Sequence, residues 1–151
     1  MLLLVNKYVL KKESERMNNL KWSAMYSVGI AKIDKQHQEL FALIDELQFL
    51  LDKSWSRANV KHSFDRFVQK ALTHFSDEES YMELFQYDSK ESHIKAHQVL
   101  ARKALDLQAQ LDAQTINLTP ELADFLDDWL THHVDGPDRA LGEFLQENGF
   151  V

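Results

Sequence analysis

The sequence predicts an all-α fold: an antiparallel up-down-up-down four-helix bundle with an N-terminal arm and a short C-terminal helix. Three observations carry this expectation. The 151 residues include only four Gly and two Pro, too few for a turn-rich β fold. The length suits one domain with its own core. Beyond Ile33, four stretches repeat seam residues in steps of four and three, which keeps side chains on one helical face. Short connections between such helices make sequential neighbours antiparallel.

Residues 1–16 read as an N-terminal extension. Met-Leu-Leu-Leu-Val is followed by Lys and Glu mixed with Tyr8, Val9 and Leu10, and a second Met stands at Met17. The bundle domain is then 17–151, although an ordinary N-terminal helix packed on the body is the alternative. Helix one is expected from Asp34, a good N-cap, with the seam Ile33, His37, Leu40, Ile44, Leu47 and Leu51. The chain loosens around Lys53 to Asn59, and Asn59 can cap helix two. Its seam is Val60, Phe64, Phe67, Ala71, His74 and Glu78. After a break at Gln86 to Ser89 comes the third seam: His93, His97, Leu100, Ala104, Leu107 and Leu111. Thr119-Pro120 supplies a cap followed by Pro at the first helical position. The fourth seam is Leu122, Leu126, Trp129 and His133, and Gly136-Pro137 is expected to stop it.

Composition excludes several function classes. The 17 Lys and Arg against 24 Asp and Glu give a formal charge of −7. Such a surface repels nucleic-acid phosphates and anionic membranes. Met1 to Val5 is far below a spanning length and lacks the flanks of a signal peptide, so a soluble cytoplasmic protein without membrane insertion is expected. A monomer is the expected state, and no protein partner is indicated. The absence of Cys removes thiolate metal sites, iron–sulfur clusters and cysteine nucleophiles.

Each seam carries polar residues where Leu would be expected. His37 begins helix one, His74 and Glu78 lie late in helix two, His93 and His97 begin helix three, and His133 ends helix four. In an up-down-up-down bundle these four places are one end of the molecule. Five imidazoles and a carboxylate therefore share one interior layer. A buried carboxylate costs several kcal/mol unless it is paired or metal-bound, and imidazole and carboxylate both donate lone pairs to a cation. A single His-x-x-x-His pair is common by chance; the signal here is the coincidence of four seams. With Asp138 just past the Gly-Pro, the donors exceed what one zinc needs, which points to two metals. Sulfur-free nitrogen and oxygen ligation suits iron, although imidazole also suits zinc, copper and nickel.

These residues resemble the hemerythrin family, and within it the single-domain bacterial form. The resemblance runs from about Trp22 to Leu145. It is carried by Trp22…Tyr26-Ser-Val-Gly-Ile30, Ile33-Asp-Lys-Gln-His37, His74-Phe-Ser-Asp-Glu78, His93-Ile-Lys-Ala-His97 and Trp129-Leu-Thr-His-His133-Val-Asp-Gly-Pro-Asp138. It implies two iron ions (Fe2+/Fe3+) with an oxo or hydroxo bridge. His93, His97 and His133 would hold one iron, His37 and His74 the other, and Glu78 and Asp138 both. It further implies reversible dioxygen binding for storage, delivery or sensing, in a dry pocket lined by Leu40, Phe75, Trp129, Leu130 and Val134, with no catalytic residue. The competing functions are a di-iron redox enzyme (peroxidase or nitric oxide reduction), a sensory module and a zinc-filled or apo structural bundle.

Two histidines fall outside this set. His62 lies off its seam and is expected at the surface. Helical spacing alone does not separate His132 from His133; the five-residue gap to Asp138 in the family pattern selects His133. Glu79, beside Glu78, is expected in solvent or orienting a ligand imidazole.

Overall fold

The computed structural model describes residues 22–151, so the proposed extension at 1–16 lies outside the described residues. All regular structure among the described residues is helical. The bundle helices are α1 (Ala31–Asp52), α2 (Arg57–Leu84), α3 (Lys90–Asp112) and α4 (Pro120–His133), and α5 (Arg139–Glu147) follows. A 3-10 turn at Ala24–Tyr26 precedes α1, and a π-helical turn at Val134–Asp138 joins α4 to α5. None of these helices is long and apolar enough to cross a membrane.

The seams point inward as expected. Leu40, Ile44, Leu47, Phe64, Phe67, Ala71, Leu100, Ala104, Leu111 and Leu126 are buried in one core, while Leu51, Leu107, Leu122 and Trp129 are only partly buried. The period therefore located most of the core face, and four seam positions are only partly covered.

Three helix boundaries differ from the sequence expectation. Helix α1 begins at Ala31 with Ile30 at the cap, and Asp34 lies inside its first turn. The Asp34 carboxylate instead accepts from the Ser27 hydroxyl at 2.5 Å and the Val28 amide at 2.8 Å, tying the lead-in segment to the helix. Helix α2 is capped by Ser56, whose hydroxyl accepts from the Asn59 amide at 3.3 Å. Gly136-Pro137 does not stop the chain; it lies within the π-helical turn that runs on into α5. A π turn closes over five residues, and a Pro there gives up one amide donor without ending the helical path. The Thr119-Pro120 start holds, with the Thr119 hydroxyl accepting from the Leu122 amide at 3.3 Å.

Helix α5 closes the end of the bundle that carries the polar layer. Val28, Ile30, Ile33, Met82, Leu141 and Leu145 form a second buried cluster there. Gly142 makes this contact possible, because a Cβ at that position would lie 2.2 Å from the Val28 carbonyl oxygen. Backbone cannot give way as a flexible side chain would. Gly142→Ala is expected to cost about 1–3 kcal/mol, as overpacking typically does, and to lower the melting temperature in a thermal denaturation scan. An unchanged melt would show that α5 is free to shift.

Candidate metal centre

The polar layer predicted from the four seams exists. His37, His74, Glu78, His93, His97, His133 and Asp138 are all buried. Helix α1 supplies His37, α2 supplies His74 and Glu78 one turn apart, α3 supplies His93 and His97 one turn apart, and α4 ends on His133. The π turn supplies Asp138. Its wider helical step suits the five-residue spacing of His133 and Asp138, so both side chains enter the layer.

The donor atoms fall into two overlapping groups. One is Glu78, His93, His97, His133 and Asp138; the other is His37, His74, Glu78 and Asp138. Within each group the donor atoms lie within 4.8 Å of one another. The two carboxylates belong to both, and each divides its oxygens between them. Asp138 Oδ2 lies 2.8 Å from His37 Nε2 and 3.5 Å from His74 Nε2. Its Oδ1 lies 2.8 Å from His93 Nε2 and 2.9 Å from His133 Nε2. Glu78 Oε1 is 3.4 Å from His74 Nε2, while Oε2 is 3.1 Å from His97 Nε2 and 3.4 Å from His93 Nε2.

Three further observations fit cations at the centre of each group. First, imidazole nitrogens face one another: His37 and His74 at 3.2 Å, His97 and His133 at 3.1 Å, His93 and His133 at 3.3 Å, each through Nε2. Donors about 2.1 Å from one cation and at right angles stand about 3 Å apart. Second, both oxygens of Glu78 are buried without a hydrogen-bond partner, which a native interior rarely tolerates. Third, the outer faces of two rings are fixed. His74 Nδ1–H donates to Gln36 Oε1 at 2.8 Å, and His97 Nδ1–H donates to Glu79 Oε1 at 3.0 Å. Each bond directs the Nε2 lone pair into the layer.

Without a cation the layer is electrostatically divided. Burial pushes Glu78 well above the usual carboxylate range, and the neighbouring Asp138 charge pushes it further. Burial opposes ionisation of Asp138 as well. The His133 charge and hydrogen bonds from His133, His37 and His74 outweigh that effect and hold it well below its usual range. Burial, helped by His133 and His93, pushes His97 down to about 2, so its imidazole is neutral, as ligation requires.

Aromatic rings stack on the layer. Phe75 lies over His97 with centroids 4.1 Å apart, and Trp129 lies over His133 at 4.5 Å. Phe75 and Trp129 meet edge to face at 6.0 Å. Leu40, Phe75, Leu130 and Val134 are buried in the main core, whereas Trp129 is only partly buried against it.

Of the remaining histidines, His62 is exposed. His132 is exposed too, with Nδ1–H donating to the Asp128 carbonyl at 2.7 Å. The structure thus separates neighbours that helical spacing left together. His132→Ala is expected to leave bound metal per chain unchanged, and His133→Ala to lower it. Metal analysis of the two purified variants checks this, and equal loss from both would contradict the geometry. Sequence reasoning missed Gln36. It lies next to His37 but off the seam, and its amide reaches across to α2, donating to Asp77 Oδ2 at 2.7 Å.

Comparison with known proteins gives the family and the fold. Residues 28–145 match the family described as the hemerythrin HHE cation binding domain. The chain is 28% identical over 124 residues to a bacteriohemerythrin of Stenotrophomonas maltophilia (strain R551-3), covering 82% of this chain and 80% of that protein. A hemerythrin-like protein of Naegleria gruberi is 29% identical over 117 residues, 78% of this chain and 86% of its own. A solved wild-type hemerythrin matches with a TM-score of 0.79 at 24% identity, covering 83% of this chain and 97% of that one, a likeness of fold.

Proposed function

Because the chain belongs to the hemerythrin family, we propose that it binds dioxygen reversibly at a non-haem di-iron centre, for oxygen storage, delivery or sensing. The observation that carries this reading is the division of Glu78 and Asp138 between two nitrogen-rich groups. Each carboxylate has one oxygen towards each group, as ligands shared by two cations would.

In this reading His93, His97 and His133 hold one iron, and His37 and His74 hold the other. Glu78 and Asp138 hold both. The side with two histidines has one nitrogen donor fewer, leaving room for a small ligand. The iron pair, when bound, supplies two electrons to dioxygen and recovers them on release.

The chain's own residues do the rest. Gln36 and Glu79 fix the tautomers of His74 and His97, which sets ring orientation. Leu40, Phe75, Leu130 and Val134 line the layer with hydrocarbon and keep water out, and Trp129 covers His133. Excluding water and anions favours release of oxygen over irreversible oxidation of the centre. This apolar lining favours reversible binding over redox turnover, which would be served by an acid beside the open position.

Titrating the anaerobically reduced protein with oxygen tests the proposal. A visible band should grow with oxygen, saturate, and vanish under vacuum. Oxygen consumption that continues beyond saturation would indicate turnover instead.

A further inference from the structure

The two donor groups differ in what holds their rings from outside. In the three-histidine group, His97 Nδ1–H donates at 3.0 Å to Glu79, a carboxylate on α2 directly after the shared Glu78. In the two-histidine group, His74 Nδ1–H donates at 2.8 Å to Gln36, a neutral amide on α1. A carboxylate stands on this side as well, but one link further out. Gln36 Nε2 donates to Asp77 Oδ2 at 2.7 Å, and the same oxygen lies 3.2 Å from the Lys32 ammonium. The negative charge nearest to the outer face of His74 is thus spaced by an amide and balanced by a cation. The Nδ1 atoms of His37 and His93 are buried without a partner, so Glu79 and Gln36 are side chains through which the surrounding protein acts on the ligand rings.

We infer that Glu79 is a positioning residue that supplies charge to the three-histidine position, while the Gln36–Asp77–Lys32 relay withholds it from the two-histidine position. The two cations are then held unequally, and the one on His37 and His74 is lost first. The inference rests on the two-cation reading proposed above. A carboxylate on the outer N–H of a ligand imidazole raises the basicity of the ring. A hydrogen bond to an ionised acceptor is also roughly twice as strong as one to a neutral group. Orientation alone does not call for the charge. Phe75 already stacks on His97, with centroids 4.1 Å apart and planes 13° apart, and an amide would accept the same N–H, as Gln36 does at His74. The Glu79 side chain is 36% exposed and touches the His97 ring directly, so water screens its field only in part. The extra histidine favours the same position, and the substitutions below separate the charge from the donor count.

Anaerobic competition between the ferrous-loaded full chain and a chromogenic ferrous chelator gives an affinity for each ion. The wild type should lose two ions per chain in two steps, and His74→Ala should lack the weaker step. Glu79→Gln keeps an acceptor for His97 and removes the charge. It should weaken the tighter step by about ten-fold, the lower end of what loss of an outer partner costs, and leave the weaker step in place. Gln36→Glu combined with Asp77→Asn moves the relay's charge one link inward at constant net charge. That pair should tighten the weaker step by a similar factor. Equal affinities in Glu79→Gln and the wild type would overturn the inference and leave Glu79 an orienting contact only. A weaker step that the paired swap leaves unmoved or weakens further would overturn it too. A wild type that holds one ion per chain would overturn the two-cation reading itself, and the inference with it.

Discussion

Glu78→Ala is expected to lower bound metal from about two ions per chain to one or none, because it removes a donor from both groups at once. Loss of a residue that only orients a ligand typically costs 10–100-fold in metal affinity, and a shared ligand should cost more. His74→Ala should likewise remove the two-histidine position. The stability of the metal-free protein gives a second readout with a different sign. Both Glu78 oxygens are buried and without a hydrogen-bond partner, and burial raises the group well above its ordinary range. Removing that carboxylate from the apoprotein relieves a desolvation penalty. The Glu78→Ala apoprotein should therefore melt no lower than the wild-type apoprotein, while the metal-loaded wild type melts well above both. A Glu78→Ala protein that retains two ions per chain would show that the layer is misassigned. Metal analysis and thermal scans with and without chelator measure both effects.

Removing the metal from the wild-type chain is the second large effect. Seven polar side chains share one buried layer, and their Nε2 atoms and carboxylate oxygens face one another across it. Cations satisfy these groups together; without them both oxygens of Glu78 remain buried with no hydrogen-bond partner. Binding to the native state alone stabilises by about 4 kcal/mol when free ligand is a thousand times its dissociation constant. For a chain of this size each kcal/mol moves the melting temperature by about 2–4 °C, so chelation should lower it by about 8–16 °C. Full recovery on adding ferrous iron without oxygen is expected. Identical melting curves before and after chelation would mean that the bundle does not depend on the site.

How much of this was legible in the sequence follows from how each feature is encoded. The bundle was legible because its core repeats in steps of three and four, and because Thr119-Pro120 has one structural meaning. The layer was legible for a related reason. His37, His74, Glu78, His93, His97 and His133 occupy positions that burial would otherwise give to Leu, at heights that antiparallel helices bring level. Asp138 was legible only by its place just past Gly136-Pro137, and that pair reads as a stop by local rules. The chain uses it as a π turn, whose wider step has no composition signal of its own. The caps at Ile30 and Ser56 were misplaced because Asp34 and Asn59 carry the right chemistry one turn or less downstream, and Asp34 uses it on Ser27 and Val28 instead. Gln36 was invisible because a long amide crossing between helices follows no seam. Trp129 follows its seam yet stays partly exposed, because the wall beside it opens into a cleft.

The central claim is that Glu78 and Asp138 are shared by two cations rather than buried beside one. Metal analysis of the purified, unsubstituted protein tests it most directly, by counting every transition metal against chain concentration. The account predicts about two irons per chain, as two overlapping donor sets require. One ion per chain, or stoichiometric zinc with no iron, would contradict it.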